Sequence, residues 1–139
     1  MLKQVPLEQL NAMNRNTIME VLGIEYTELS PTTISGKMPV DHRTHQPVGL
    51  LHGGATAVLA ETLGSMGSTL LIDTKEFAVT GVEVNANHLK GVKNGFVHAT
   101  ATILHAGRTT HVWNIEVKND EQNLVAVCRL TVVVIPLKK

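Results

Sequence analysis

Twenty consecutive residues, Gly53 to Ile72, carry a single charge, Glu61, and no other segment constrains the fold so tightly. The run is long enough to span a bilayer, but a carboxylate at mid-span opposes insertion by about 3 kcal/mol. Its four glycines and scattered Ser and Thr weaken a membrane reading further. The expectation is a helix buried inside a soluble domain.

The flanking chain supplies what could bury it. Pro6, then Leu7, Leu10, Met13, Ile18 and Val21-Leu22, predicts one or two short helical turns stopped by Gly23. Ile24 to Ser30 and Thr32 to Val40 read as strands around a Ser30-Pro31 turn, and Asp41 to Leu51 as a loop. After the apolar run the period becomes two. Thr80, Val82, Val84, Ala86 and His88 form one alternating set, and Val97, Ala99, Ala101 and Ile103 another. Thr109 to Lys118 and Leu124 to Ile135 complete the strands, with a turn beginning at Lys118-Asn119-Asp120. A twelve-residue strand spans about 40 Å. Strands that long in 139 residues predict one α+β domain over 1–139, a curved antiparallel sheet wrapped around the single helix.

Composition removes several functions. Twelve Lys+Arg balance twelve Asp+Glu, and aromatics are 3%, which leaves neither a basic field nor a stacking platform for nucleic acid. Charged residues are 17%, below the roughly 25% of soluble domains, which points to surface buried between subunits. One cysteine, Cys128, builds no disulfide framework and reads as packing in a Val-rich strand. With no apolar signal segment in MLKQVPLEQL, the expected compartment is the cytoplasm. His42, His45 and His52 share a loop region but lack a metal-ligand signature, so no metal is expected.

Two features bear on chemistry. Glu61 lies among apolar and small residues, where a carboxylate is paired (Arg43 and Arg108 are candidates), neutral, or reactive. His52-Gly53-Gly54 stands at the helix start, where free N–H groups and the macrodipole suit a developing oxyanion. Gly pairs are also common turn devices. Eight residues separate Gly53 from Glu61, about 12 Å of helix. One helix cannot bring both to one carbonyl, so joint action requires two chains across a two-fold interface. Gly64 and Gly67 are expected to let backbones approach along it. Ser65, one turn beyond Glu61, is placed to orient a water or the carboxylate, or simply to pack.

His45-Gln46-Pro47-Val48-Gly49-Leu50-Leu51-His52-Gly53-Gly54, with Ala60-Glu61-Thr62-Leu63-Gly64-Ser65 and Val82 to His88, resembles the hotdog-fold acyl-CoA thioesterases. The resemblance is greatest to the branch with the Arthrobacter-type 4-hydroxybenzoyl-CoA thioesterase, the phenylacetate-pathway thioesterase and dihydroxynaphthoyl-CoA hydrolase. It implies a hotdog fold, dimers with joined sheets, and a homotetramer. It implies hydrolysis of aromatic or short-to-medium acyl-CoA thioesters, with no cofactor beyond substrate CoA. Glu61 would be nucleophile or general base, the Gly53 N–H the oxyanion donor, Gln46 and His52 positioning groups, and Ser65 an assistant. Gly81, His88, Leu89, Lys90 and Gly91, with His105, Ala106, Gly107, Arg108, Thr109 and Thr110, would contact CoA. Val48, Leu50, Met66 and residues near Leu70 are expected around the acyl group. Two other readings are a hotdog hydratase or dehydratase, which needs a His and a carboxylate converging on one carbon pair, and a non-catalytic acyl-CoA binder.

Overall fold

The apolar run is helical from Gly53 to Thr69, three residues short of the predicted end, and Leu70 caps it. In this computed structural model, which describes residues 1–138, the elements are α1 (Leu7–Ala12), α2 (Ile18–Leu22), β1 (Glu25–Leu29), β2 (Thr33–Pro39), α3 (Gly53–Thr69), β3 (Phe77–His88), β4 (Phe96–Ala106), β5 (Thr110–Asn119) and β6 (Leu124–Pro136). The six strands form one sheet in the order β1-β2-β4-β5-β6-β3, every neighbouring pair antiparallel. The sheet does not close into a barrel, so β1 and β3 are open edges, and α3 lies against β2 to β6. No helix among the described residues is long and apolar enough to cross a membrane.

Helix α3 is pinned through one face. Thr56, Leu59, Ala60, Leu63, Gly64 and Gly67 recur at helical spacing and are all buried. A Cβ at Gly64 would come within 2.5 Å of Leu130, and one at Gly67 would enter the ring of Trp113. These glycines therefore let the helix approach its own sheet. The indole N–H of Trp113 donates to Ser68 Oγ at 2.9 Å, and His111 Nδ1 lies 3.0 Å from the same oxygen. This satisfies the polar atoms of a tightly packed region. Burial holds the His111 pKa below its ordinary value. Cys128 packs in the core, where burial pushes its thiol up to about 11.

Strand β3 departs from simple alternation. Gly81 faces Val132 and Glu83 faces Thr131, so Val82 is an extra residue in a β-bulge. The bulge resets the phase: Val84 and Ala86 turn towards the helix, while Thr80 and Val82 are exposed. Thr80 and Val82 thus leave the face predicted for them, and Gly81 turns inward instead.

The short helices are fastened to β1. Thr17 caps α2 by accepting from Met19 N–H, and Gly23 ends it at φ 73°, a left-handed conformation that suits glycine. The Asn11 carboxamide accepts from Tyr26 N–H at 2.8 Å and donates to Tyr26 C=O at 3.1 Å, copying a strand partner.

Candidate active site

Glu61 is half-buried and makes no ion pair among the described residues. Neither candidate partner is available. Arg43 binds Asp41 at 2.8 Å, which holds that carboxyl down to about 2, and Arg108 lies in a cleft with Met1, Phe77 and His111. Glu61 opens into a cavity of about 430 Å³ whose wall includes Ile18, Met19, Tyr26, Val58, Met66 and Ser65. Gly81 makes room for the carboxylate: a Cβ there would lie 2.5 Å from Glu61 Oε1. Ser65 borders the same cavity but forms no hydrogen bond to Glu61; its carbonyl accepts from the Thr69 hydroxyl at 3.0 Å.

The start of α3 borders a second cleft of about 400 Å³, with Gln46, Leu50, Gly53, Thr56, His88 and Lys90 in its wall. Leu89 and Gly91 also line it. The loop is held from both sides, His52 N–H donating to Thr44 C=O and Leu51 N–H to Val92 C=O, each at 2.8 Å. His52 Nδ1 accepts from Gly54 N–H at 2.8 Å and so caps the helix. That bond leaves the ring proton of a neutral His52 on Nε2. Gly53 N–H has no acceptor among the described residues, and His88 lies over its Cα, where a Cβ would meet Nε2 at 2.8 Å. The Gln46 carbonyl oxygen accepts from Val48 N–H, leaving its NH₂ free to donate outward. Thr56 Oγ1, one turn into the helix, is buried without a partner.

The predicted residues therefore divide within one chain. Glu61, Ser65 and Gly81 gather at one cavity, and Gln46, Gly53, His88, Leu89, Lys90 and Gly91 at another. Ala106, Gly107 and Arg108 line a third cleft, with His105 packed against Gly107 and Thr109-Thr110 continuing the β4–β5 turn. Of the predicted acyl contacts, only Met66 borders the Glu61 cavity. Leu50 belongs to the Gly53 cleft, Val48 is exposed at a loop tip, and Leu70 is buried in the core, although its neighbour Thr69 does reach the cavity. These differences arise because the loop before α3 folds back on the helix N-terminus, about two turns from Glu61. Ile18, Met19 and Tyr26 join the cavity wall without any sequence signal. No local pattern marks them, since their place depends on how α2 and β1 pack across α3.

A long helix on one antiparallel sheet, with a mid-helix carboxylate unpaired among the described residues and a glycine N-terminus, is a hotdog-type architecture. The family model described as the thioesterase superfamily matches residues 48–126, and the chain belongs to that family. The chain is 44% identical to the proofreading thioesterase EntH of Klebsiella pneumoniae, over 92% of its own length and 93% of that protein's. Its structure matches that of a mutant of thioesterase PA1618 from Pseudomonas aeruginosa with TM-score 0.95 and 50% identity, covering 98% of this chain and 99% of the other. Thioesterase HI1161 from Haemophilus influenzae superposes with TM-score 0.94 at 43% identity, covering 100% and 98%. The fold is the hotdog thioesterase fold, and the relatives support thioester hydrolysis.

Proposed function

We propose that the chain hydrolyses acyl-CoA thioesters to free acid and CoA, without a metal or other cofactor, as a cytoplasmic homo-oligomer. The observation that carries this reading is Glu61, an unpaired carboxylate facing an apolar cavity in which Gly81 leaves it space. No described side chain occupies the carboxylate, so it is free to meet a substrate that enters the cavity.

Glu61 attacks the thioester carbonyl itself, or takes a proton from the water that does. In both cases the carbonyl oxygen becomes an oxyanion and the C–S bond then breaks. With Glu61 as base, the proton taken from water passes to the CoA sulfur. With Glu61 as nucleophile, thiolate leaves an acyl–Glu61 anhydride that water cleaves to free acid and Glu61 carboxylate, its released proton going to the thiolate. The Gly53 N–H, with the positive end of the α3 dipole behind it, receives the oxyanion. The Gln46 NH₂ and His52 Nε2–H are the further donors that hold the thioester, and Ser65 supports Glu61 from the next turn. Gly53 and Glu61 border different cavities, so a complete site takes Glu61 from one protomer and Gln46, His52 and Gly53 from its partner. The open edge of β3 suits joining of two sheets, and the dimers then pair as tetramers. Lys90 and Arg108, with His88 and His105 and the backbone of Gly81, Leu89, Gly91 and Ala106 to Thr110, supply contacts for CoA.

The test is thiol release from aromatic and aliphatic acyl-CoAs by wild type and Glu61→Gln in parallel. Wild type turns over at least part of the panel. Glu61→Gln keeps the fold and loses two decades of rate or more, about 2.7 kcal/mol of barrier. Undiminished turnover by the variant would remove Glu61 from the mechanism. Label found in Glu61 after a single turnover in heavy-oxygen water establishes the nucleophilic role, because a general base forms no bond to that oxygen.

A further inference from the structure

The wall of the Glu61 cavity joins the apolar Ile18, Met19, Val58 and Met66 to the hydroxyl-bearing Thr62, Ser65 and Thr69, and it contains the only tyrosine of the chain. Tyr26 is 3% exposed, and both of its backbone groups are taken by Asn11. Its hydroxyl has no hydrogen-bond partner among the described residues. Buried tyrosines ordinarily place this group against a polar partner within the protein. The buried side-chain atoms that are both sealed and unpartnered are Asn14 Oδ1 and Thr56 Oγ1. The Tyr26 oxygen is not one of them, so it is not sealed, and its side chain belongs to a residue that borders the Glu61 cavity. The hydroxyl of Thr69, another wall residue, is already committed to the Ser65 carbonyl.

We propose that Tyr26 is a specificity-determining residue whose hydroxyl binds a hydroxyl or keto group on the acyl portion of the substrate, an inference that rests on the thioesterase reading of this cavity. Burial pushes the phenol up to about 12, so it is neutral at physiological pH and can donate or accept. An aliphatic wall discriminates weakly between acyl groups, whereas a buried polar group left unpaired by the wrong substrate discriminates strongly. Tyr26 therefore makes the pocket selective for an oxygen substituent and not only for size.

The experiment compares matched thioesters that differ by one oxygen. These are benzoyl-CoA against its monohydroxylated isomers, and butanoyl-CoA against its β-hydroxy and β-keto derivatives, each with wild type and Tyr26→Phe. Wild type favours at least one oxygenated member over its parent by about tenfold or more in kcat/KM, and in Tyr26→Phe that ratio falls towards one. Each ratio is taken within one preparation, so partial loss of folded protein cancels. An unchanged ratio in the variant, or no oxygen preference in wild type, overturns the proposal. If neither protein hydrolyses any thioester, the hydrolase reading falls separately, and calorimetry with phenol and toluene decides the role of Tyr26. Tighter binding of phenol that disappears in Tyr26→Phe supports the proposal, and equal binding of phenol by both proteins overturns it.

Discussion

The two faces of α3 are built from nearly the same kind of residue and do opposite things. Towards the sheet, Leu59, Leu63, Gly64 and Gly67 are buried, the two glycines against Leu130 and Trp113, and a methyl group added at either glycine has no space. Towards α2, Val58, Glu61, Ser65 and Met66 are only half-buried and border an open cavity. Apolar character is spread around the helix, so hydropathy does not separate the faces. Packing does. Two glycines bring one side into contact with the indole, and Glu61 lies at the margin of that side, beside Gly81 of β3 and open to the cavity.

Exchanges on the two faces should therefore fail in different ways. The largest effect is on the open face: Glu61→Gln removes turnover by two decades or more while thermal unfolding changes little. A comparable loss of stability would mean that the open face is structural after all. On the packed face, Gly67→Ala overpacks against Trp113 and destabilises by about 1–3 kcal/mol, read from denaturant midpoints. Gly81→Ala tests whether space at the bulge matters to the carboxylate. The Cβ meets the flexible end of Glu61, so stability is nearly kept while kcat falls by about tenfold or more through misplacement. An Ala variant with wild-type rate would show that Glu61 reaches the substrate without that space.

The smallest effect comes from His111, behind the packed face. Its folded pKa lies below the unfolded value, chiefly through burial, with His105 nearby adding repulsion. The folded state then binds fewer protons than the unfolded one. The stability from neutral His111 is full above about pH 6.5 and is lost as pH falls through the folded pKa. His111→Asn should flatten that part of the stability–pH curve, and an unaltered slope would assign it to other groups.

Much of the architecture is legible in the sequence. Alternation over Val97 to Ile103 and Leu124 to Ile135 specifies strands, Gly23 specifies a stop, and the spacing of Gly53 and Glu61 already separates the two halves of the site. The β3 phase is not legible there, because a bulge is a property of the pairing with β6 and leaves no mark in the composition of β3 itself. The acyl wall escapes a sequence reading for a similar reason. Val48 and Leu50 are near Gly53 in sequence, but the loop carries them to the helix end, while α2 and β1 bring Ile18, Met19 and Tyr26 to Glu61 from about forty positions away.

The sequence by itself determined the periods, the helix that must be buried, the single charge within it and the glycines at its start, all of which are local to the backbone. The tertiary structure decided which face of α3 carries that charge into open space and that an unpartnered phenol shares the space. Those facts depend on close packing between segments far apart in the chain, where Trp113, Gly67 and the β3 bulge set the helix rotation, and no periodicity in one segment encodes its neighbour's shape.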